Sequence, residues 1–332
     1  MPWCEAWSAN TFGAAMPDYY LGADIGGTKT AAVLCDSTGA VVAHAWVEHD
    51  PEQPGTVSER ILRALDQVSG GVAHAELRAC GIAIAGLVSG DHRALVHGAT
   101  LGRRRLPLAD TLEPVLHCPC YIVNDANAAL VGHLSESPEK VSRKHVILLT
   151  IGTGLGGAVT ADGQILEGAH GYAAELGHLT VDFEDPRRCL CGAPGCVENY
   201  ASGRGLAEMA AEAGLVSATE AASYSSRNVV ELTATDPLAK AIVERAGMML
   251  GRAMTQLSTA LDPEEFIISG SVGHAAAGLL LPAARDEMER RWPFPTTRPI
   301  PEVRVDAIGP HAAAIGAARL ARTNDESRAE HD

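Results

Sequence analysis

The chain has 332 residues, of which 46% are hydrophobic, and a formal net charge of −15. That length allows two domains with sizeable cores, whereas the acidic balance argues against a nucleic-acid binder, which needs a basic surface. No apolar run approaches the roughly 18 residues of a membrane helix, and residues 1–15 lack the basic start and apolar core of a signal peptide. We therefore expect a cytoplasmic protein without membrane or nucleic-acid partners, in which residues 1–18 form a disordered extension.

A first predicted strand, residues 19–24, runs into a glycine-rich turn of sequence DIGGTKT at 24–30. The next strand, residues 31–35, follows at once, so the turn joins a hairpin. The turn nearly fits a P-loop, but its lysine comes one residue late and no helix follows. Such a turn can instead present backbone N–H groups to phosphate and Asp24 to a metal ion. A plain hairpin turn explains the residues equally well.

The stretch Asn124-Asp125-Ala126-Asn127 comes after predicted helices at 56–68 and 109–117 and a buried strand at 80–84. It directly follows a short apolar strand at 121–123 and precedes a helical pattern. A carboxylate at a strand end is well placed to face a cleft, so Asp125 could take a proton from a bound hydroxyl. Because Asn and Asp favour helix N-caps, the tetrapeptide alone favours a cap over a catalytic group.

A second glycine-rich turn, GTGLGG at 152–157, joins predicted strands at 145–151 and 158–160. It formally contains G-x-G-x-x-G, but a dinucleotide-binding turn needs a helix next, and here a strand follows. Both turns share the order strand, glycine turn, strand. This pattern predicts two related α/β lobes, each lending a phosphate-facing hairpin to one cleft.

One histidine and three cysteines then follow with the spacing of a metal site. His178 precedes Cys189, Cys191 and Cys196, and the glycines between the last two cysteines permit a tight knuckle. A Cys₃His set fills all four tetrahedral coordination positions of zinc with protein ligands, so the metal should be structural. Among the eight cysteines, Cys118 and Cys120 should be core or loop residues.

The rest of the chain is predicted to be mainly helical. A strand at 266–269 ends in Gly270-Ser271, a third glycine turn, and a short edge strand follows at 303–305. Gly316 should allow the last helix to pack closely, and the charged tail after residue 324 should be disordered. The predicted helices are 200–213, 236–261, 275–291 and 310–322.

Taken together, these motifs resemble the ROK family of bacterial sugar kinases and sugar-responsive repressors, over residues 20 to about 322. The motifs are DIGGTKT at 24–30, NDANAA at 124–129, GTGLGG at 152–157, ELGH at 175–178 and CLCGAPGCVE at 189–198. The resemblance implies an α/β fold of the actin-like, ribonuclease-H-like kind: a two-lobed ATPase fold with a cleft between lobes and a structural zinc loop at 178–196. The small lobe would be 19–117 plus 308–323, and the larger lobe 118–307.

The resemblance also implies an enzyme that uses ATP and Mg²⁺ to phosphorylate the 6-hydroxyl of glucose or a modified glucose, such as the amino sugar kanosamine or a cyclitol analogue. Asp125 matches the family's general base, and His178 would serve both zinc and sugar. The implied sugar-binding residues are Gly86, Thr100, Asn124, Asp125, Glu175, His178 and Glu198. The implied ATP- and phosphate-binding residues are Asp24, Gly26, Gly27, Thr28, Lys29, Thr153, Gly154, Gly270 and Ser271. The implied zinc ligands are His178, Cys189, Cys191 and Cys196.

Two loops depart from the glucokinase pattern and leave the sugar open. Ala85-Gly86 stands where Pro-Gly is usual, and Thr100 begins a loop that often reads Asn-Leu-x-Trp. One alternative is therefore an N-acetylmannosamine or N-acetylglucosamine kinase. Alternatives of another class are a sugar-sensing repressor without its DNA-binding module and an inactive sugar-binding or assembly protein. The resemblance also implies a homodimer or homotetramer.

Overall fold

The computed structural model describes residues 18–26, 29–49, 56–69, 77–98, 105–135, 143–215, 226–309 and 311–329. Within these residues it contains twelve strands and ten α-helices. The strands are β1 Tyr19–Ile25, β2 Lys29–Asp36, β3 Val41–Glu48, β4 Leu77–Ile84, β5 Leu87–Val88, β6 Leu95–His97, β7 Cys120–Asn124, β8 Val146–Ile151, β9 Leu155–Ala161, β10 Gln164–Ile165, β11 Glu265–Ser269 and β12 Glu302–Val305. The helices are α1 Val57–Ser69, α2 Leu108–Leu116, α3 Asp125–Ser135, α4 Glu198–Ala201, α5 Gly203–Glu212, α6 Ser226–Leu232, α7 Pro237–Leu261, α8 Ser271–Ala275, α9 Ala277–Arg291 and α10 Ala312–Ala329.

Two five-stranded sheets have the same order of strands. The first runs β3-β2-β1-β4-β7 and the second β10-β9-β8-β11-β12. In each sheet the central strand forms an antiparallel hairpin with the strand that follows it in sequence, β1 with β2 and β8 with β9. On its other side the central strand pairs in parallel with β4 or β11, which in turn pairs in parallel with β7 or β12. The mixed α/β class is therefore confirmed, and both predicted glycine turns join the central hairpin of a sheet. β12 is an edge strand, as predicted.

The inner strands β4, β8 and β11 are largely apolar and buried, as is typical of parallel strands that are covered on both faces. β4 is buried along nearly its whole length, and Cys80, Cys118 and Cys120 lie in the core of the first sheet. That placement confirms the prediction for the last two cysteines. The core of the second sheet packs against α7, which begins where Asp236 caps Leu238 N–H and ends at Leu261.

Helix α10 connects the two halves of the molecule. It packs on α3 and on β1 and β4 of the first sheet. A Cβ on Gly316 would lie 1.7 Å from the carbonyl oxygen of Ala128, so the two helix backbones touch at this glycine, as predicted. The prediction of a disordered tail was wrong, because α10 continues to Ala329. Asp325 lies 3.5 Å from Arg78 of β4, so the charged end of α10 makes an ion pair with the first sheet.

Other boundaries differ from those predicted. The helix predicted at 200–213 is broken at Ser202, whose hydroxyl caps α5 by accepting from Gly205 N–H at 3.1 Å. Strand β7 pairs in parallel with β4, so it belongs to the first sheet although the predicted lobe boundary lies before it. The division into lobes by residue number stays a prediction. Within the described residues, no helix combines the length and apolar character that crossing a bilayer requires.

Candidate functional site

Strands of both sheets end at one cleft of about 240 Å³. The first sheet contributes Asp24, and α3, which follows β7, contributes Asp125. The second sheet contributes Thr150 and Ser269, which are paired at the ends of β8 and β11. Ligands of open α/β sheets bind outside the carboxyl ends of the strands. This cleft is therefore the candidate site.

Asp24 and Asp125 are both partly buried in the cleft and repel each other. Burial, and then the charge of Asp125, raise the pKa of Asp24 to about 7, although Lys29 opposes the rise. Burial also raises the pKa of Asp125, against the stabilising N–H of Ala126. A carboxylate poised near neutral pH is suited to exchange a proton with a bound hydroxyl.

The N-cap of α3 is Asn124, not Asp125. The side-chain oxygen of Asn124 accepts from the N–H groups of Ala126 and Asn127 at 3.0 and 3.1 Å. Its amide donates to the carbonyl of Gly86 at 3.1 Å, which ties the loop after β4 to the start of α3. Because Asn124 performs the capping, the carboxylate of Asp125 is available to the cleft.

The second glycine hairpin is clasped by the segment that follows the cysteine knuckle. The carboxylate of Glu198 accepts from Leu155 N–H at 3.1 Å and from the Arg204 guanidinium at 2.6 Å. The backbone N–H groups of Gly203 and Arg204 donate to the carbonyls of Gly152 and Thr153 at 2.8 and 3.1 Å. The turn therefore takes its shape from residues about 50 positions further along the chain.

The ELGH turn supports the same hairpin from another side. A Cβ on Gly157 would lie 2.5 Å from the Leu176 side chain, and a Cβ on Gly177 would lie 2.1 Å from the Leu155 carbonyl oxygen. Only glycine allows this approach. Burial raises the pKa of Glu175, His178 lowers it, and Asp125 and Glu198 raise it further. These four groups therefore form one electrostatic cluster.

The four predicted zinc ligands lie together. Their ligand atoms are all within 4.8 Å of one another. His178 Nδ1 is 3.7 Å from Cys189 Sγ, and the sulfurs of Cys191 and Cys196 are 3.7 Å apart. Tetrahedral zinc with Zn–S bonds of about 2.3 Å would place two sulfurs roughly 3.8 Å apart. The donor set therefore fits a closed structural zinc site, with Nδ1 of His178 as the ligand atom.

A model of the ROK family matches residues 20–324 of the chain. The protein belongs to the ROK family. Among its relatives is a glucokinase from Halalkalibacterium halodurans, 31% identical over 93% of this chain and 96% of the relative. An N-acetylmannosamine kinase from Salmonella typhimurium is 29% identical over 91% of this chain and 98% of the relative. A ROK glucokinase from Streptomyces griseus, solved in complex with glucose and AMPPNP, has a TM-score of 0.77 at 31% identity and covers 92% of this chain and 99% of its own.

The structure of this ROK protein gathers most of the predicted site residues but not in one group. Gly26, Lys29 and Gly270 line the cleft with the two aspartates, and Ser271 begins α8 next to Gly270. Thr153 and Gly154 lie in the second hairpin beside Glu198 and Arg204. The predicted residues Gly27, Thr28 and Thr100 lie outside the described residues.

Sequence reasoning missed four groups at the site. Thr150 and Ser269 end strands that point at the cleft, so the rule of strand ends could have found them. Arg204 carried no signal, because its importance lies in its ion pair with Glu198. Trp46 also carried none: it lines the cleft from the middle of an edge strand.

Proposed function

We propose that this ROK protein is an ATP-dependent sugar kinase that phosphorylates the 6-hydroxyl of glucose or a modified glucose, such as kanosamine or a cyclitol analogue. The observation that carries the proposal is the carboxylate of Asp125, which does not cap α3 because Asn124 does, and which lines the cleft together with Asp24, Gly26 and Gly270. The full-length likeness to glucokinases supports it. A two-lobed, actin-like arrangement of the two sheets fits the same activity.

Asp125 would act as the general base. A carboxylate within reach of the attacking hydroxyl accepts its proton as the phosphoryl group is transferred. The raised pKa of Asp125 brings the carboxylate closer to the proton affinity that this step needs. The nucleotide phosphates would lie against the two hairpins, with Mg²⁺ bound to them to neutralise charge and Asp24 nearest that ion.

The sugar would contact Asn124, Glu175, His178 and Glu198, with Gly86 close by. Acceptors of this kind reject analogues that lack the matching hydroxyl, because the unmatched acceptor loses a hydrogen bond. Zinc held by the cysteine knuckle would fix the ring of His178 through Nδ1 and leave Nε2 for the sugar. The Arg204–Glu198 contact leaves Glu198 further lone pairs for a hydroxyl.

A second candidate substrate is an N-acetylated hexosamine. The N-acetylmannosamine kinase relative is nearly as similar to this chain as the glucokinases. The two departures near the sugar, Ala85-Gly86 and the loop of Thr100, also fit a ring substituent other than that of glucose. The same screen decides between the two candidates.

The test is a screen of ATP turnover. The sugars are glucose, mannose, N-acetylmannosamine, N-acetylglucosamine, kanosamine and C7 cyclitols, with Mg²⁺ present. We expect turnover with at least one sugar at a kcat/KM well above the others, and we expect Asp125→Asn to lose most of it. Absence of turnover with every sugar would refute the kinase. DNA binding at low salt would then favour a repressor, and sugar binding without turnover an inactive sugar-binding protein.

A companion variant, Thr100→Asn, asks whether the loop sets the substrate. We expect it to shift the ratio of kcat/KM between glucose and the preferred sugar by about 10-fold, the net effect of one gained or lost hydrogen bond. An unchanged ratio would place the determinant elsewhere. Light scattering of the purified chain tests the proposed homodimer or homotetramer.

A further inference from the structure

A group of aromatic and basic side chains surrounds Lys29 beside the cleft, and of its members only Lys29 has been given a role above. Trp46 of β3 lies beside Ala31 of β2, two residues after Lys29. His44 is on the same face of β3, and His311 directly precedes α10. We call Lys29, His44, Trp46 and His311 the Trp46 cluster. Trp46 and Lys29 both line the cleft.

The Trp46 ring is fixed at its polar edge. Its indole N–H donates to His311 Nε2 at 2.8 Å across 265 residues of sequence. The two rings are tilted against each other with centroids 4.5 Å apart, and the His44 ring in turn lies 4.9 Å from the His311 ring. An indole held by a hydrogen bond and by packing against a neighbouring ring loses less freedom when a ligand arrives.

The free face of the indole carries the lysine. Lys29 Nζ lies 4.1 Å from the centroid of the Trp46 ring. A tryptophan face is the strongest aromatic partner for an ammonium group. A flexible lysine would otherwise lose substantial rotamer freedom on being ordered, and the indole removes part of that cost before any ligand binds.

The charge of the cluster is concentrated on Lys29. His311 Nε2 accepts the indole N–H, so the proton of this imidazole is on Nδ1 and the ring is neutral. Burial, and then the nearby His44 and Lys29, lower the pKa of His311, which favours the neutral ring. The first turn of α10, Ala312 and Ala313, lines the cleft as well, and its N–H groups add positive potential.

We propose that Trp46 is a positioning residue of the cleft: fixed by His311, it holds the Lys29 ammonium at the wall where the phosphate chain of a bound nucleotide lies. The proposal rests on the nucleotide subsite of the proposed function, but it does not depend on the sugar. The ammonium then meets the phosphates between the first glycine hairpin and the start of α10. An anion gains both the lysine charge and the helix N-terminus at one place.

The test measures nucleotide binding without sugar, by calorimetry with Mg-AMPPNP. Lys29→Met should weaken binding by about 10-fold or more, because it removes the charge. Trp46→Leu should weaken it by about 3- to 30-fold, the range of one cation–π contact. The double variant should bind no more weakly than Lys29→Met, since Trp46 acts through the lysine. Trp46→Phe keeps a ring and should lose less than Trp46→Leu.

Fluorescence provides a readout that a purely structural role would not move. Nucleotide that draws Lys29 towards phosphate changes the field over the indole, so emission should change on binding and the change should vanish in Trp46→Phe. Trp292, which packs on Arg298 with the guanidinium 5.0 Å from its ring, serves as the unresponsive reporter of folding. If Trp46→Leu fails to fold, the phenylalanine variant still decides.

Three results would overturn the proposal. They are unchanged nucleotide affinity in both Trp46 variants, additive losses in the double variant, and an emission change that persists in Trp46→Phe. Failure of the kinase proposal looks different. A protein that binds Mg-AMPPNP in a Trp46-dependent way but phosphorylates no sugar would refute the kinase and leave this inference intact.

Discussion

The two glycine hairpins occupy equivalent positions in the two sheets, yet they are supported by different means. The first joins β1 to β2, and the side chains around it belong to its own sheet and to His311. The second joins β8 to β9 and is enclosed by the ELGH turn, Glu198 and Arg204. The same local pattern is therefore supported by aromatic packing in the first sheet and by the segment around the cysteine knuckle in the second.

The two hairpins also differ in charge. The first carries an exposed lysine and a partly buried aspartate whose pKa is raised to about 7. At the second, Glu198 and Arg204 form an ion pair, so their charges largely offset each other. Asp125, at the start of α3, belongs to neither hairpin. The contrast suggests that the first hairpin supplies charge and the second supplies shape.

The largest expected effect concerns Asp125, which belongs to neither hairpin. Asp125→Asn should lower kcat by about 10²- to 10⁴-fold, because it removes the base. Nucleotide affinity, which we assign to the hairpins, should change by less than about 2-fold. Steady-state kinetics and calorimetry measure the two quantities, with exposed Asp66→Asn on α1 as the control. A kcat close to that of the wild type would show that Asp125 is not the base.

Metal removal should act on the second hairpin alone. Zinc content by mass spectrometry should be about one per chain and should fall in Cys191→Ser. Because the ELGH turn and Glu198 hold the second hairpin, we expect chelation to weaken both sugar and nucleotide binding by about 10-fold or more. The fluorescence of Trp46 at the first hairpin should stay unchanged.

The matched control is Cys118→Ala, which removes a buried thiol outside the cluster and should keep its zinc. Wild-type protein that contains no zinc when purified under reducing conditions would contradict the metal assignment. Loss of zinc with both affinities retained would instead contradict the coupling to the hairpin.

The pH dependence of stability should distinguish the first hairpin. The pKa of Asp24 is raised from 3.8 to about 7 on folding. Between these values the folded chain binds more protons than the unfolded chain, so this group's contribution to stability falls as pH rises and is constant above about pH 7. Asp24→Asn removes the penalty and should be more stable than the wild type by about 1–3 kcal/mol near pH 8.

The advantage of Asp24→Asn should disappear near about pH 4, where the wild-type carboxyl is protonated. Urea unfolding at several pH values measures the difference. Asp66→Asn should show no such trend. A stability difference that is the same at every pH would mean that Asp24 is not the titrating group.

The smallest expected effect tests the shape of the second hairpin. Arg204→Ala leaves the partly buried Glu198 without its counter-ion, which should cost about 1 kcal/mol of stability and raise the KM for ATP by about 3- to 10-fold. Arg204→Lys should lose less, because it keeps the charge. The exposed Arg227→Ala on α6 is the control. If Arg204→Ala raises only the KM for sugar, Arg204 serves the sugar subsite and not the hairpin.

Local patterns predicted much of the fold. The strand–glycine turn–strand order predicted both central hairpins, and the cysteine spacing predicted the four-residue cluster. The helix at 236–261 was predicted from an apolar stripe that includes Ile242, Met249 and Leu257, all of which are buried in α7. These features are set by neighbours in sequence, which is why the sequence alone was enough to predict them.

Long-range packing decided the rest. The sequence could not say that Asn124 would cap α3 and so leave Asp125 to the cleft. It could not place Trp46 against His311, because that hydrogen bond joins residues 265 positions apart. The composition of the charged end of α10 predicted disorder, but the helix continues to Ala329 and makes an ion pair with Arg78 on the first sheet. Residue types at short spacing were enough to predict the kinds of site in the chain. Which side chains face the cleft was decided by the packing of segments that are distant in sequence.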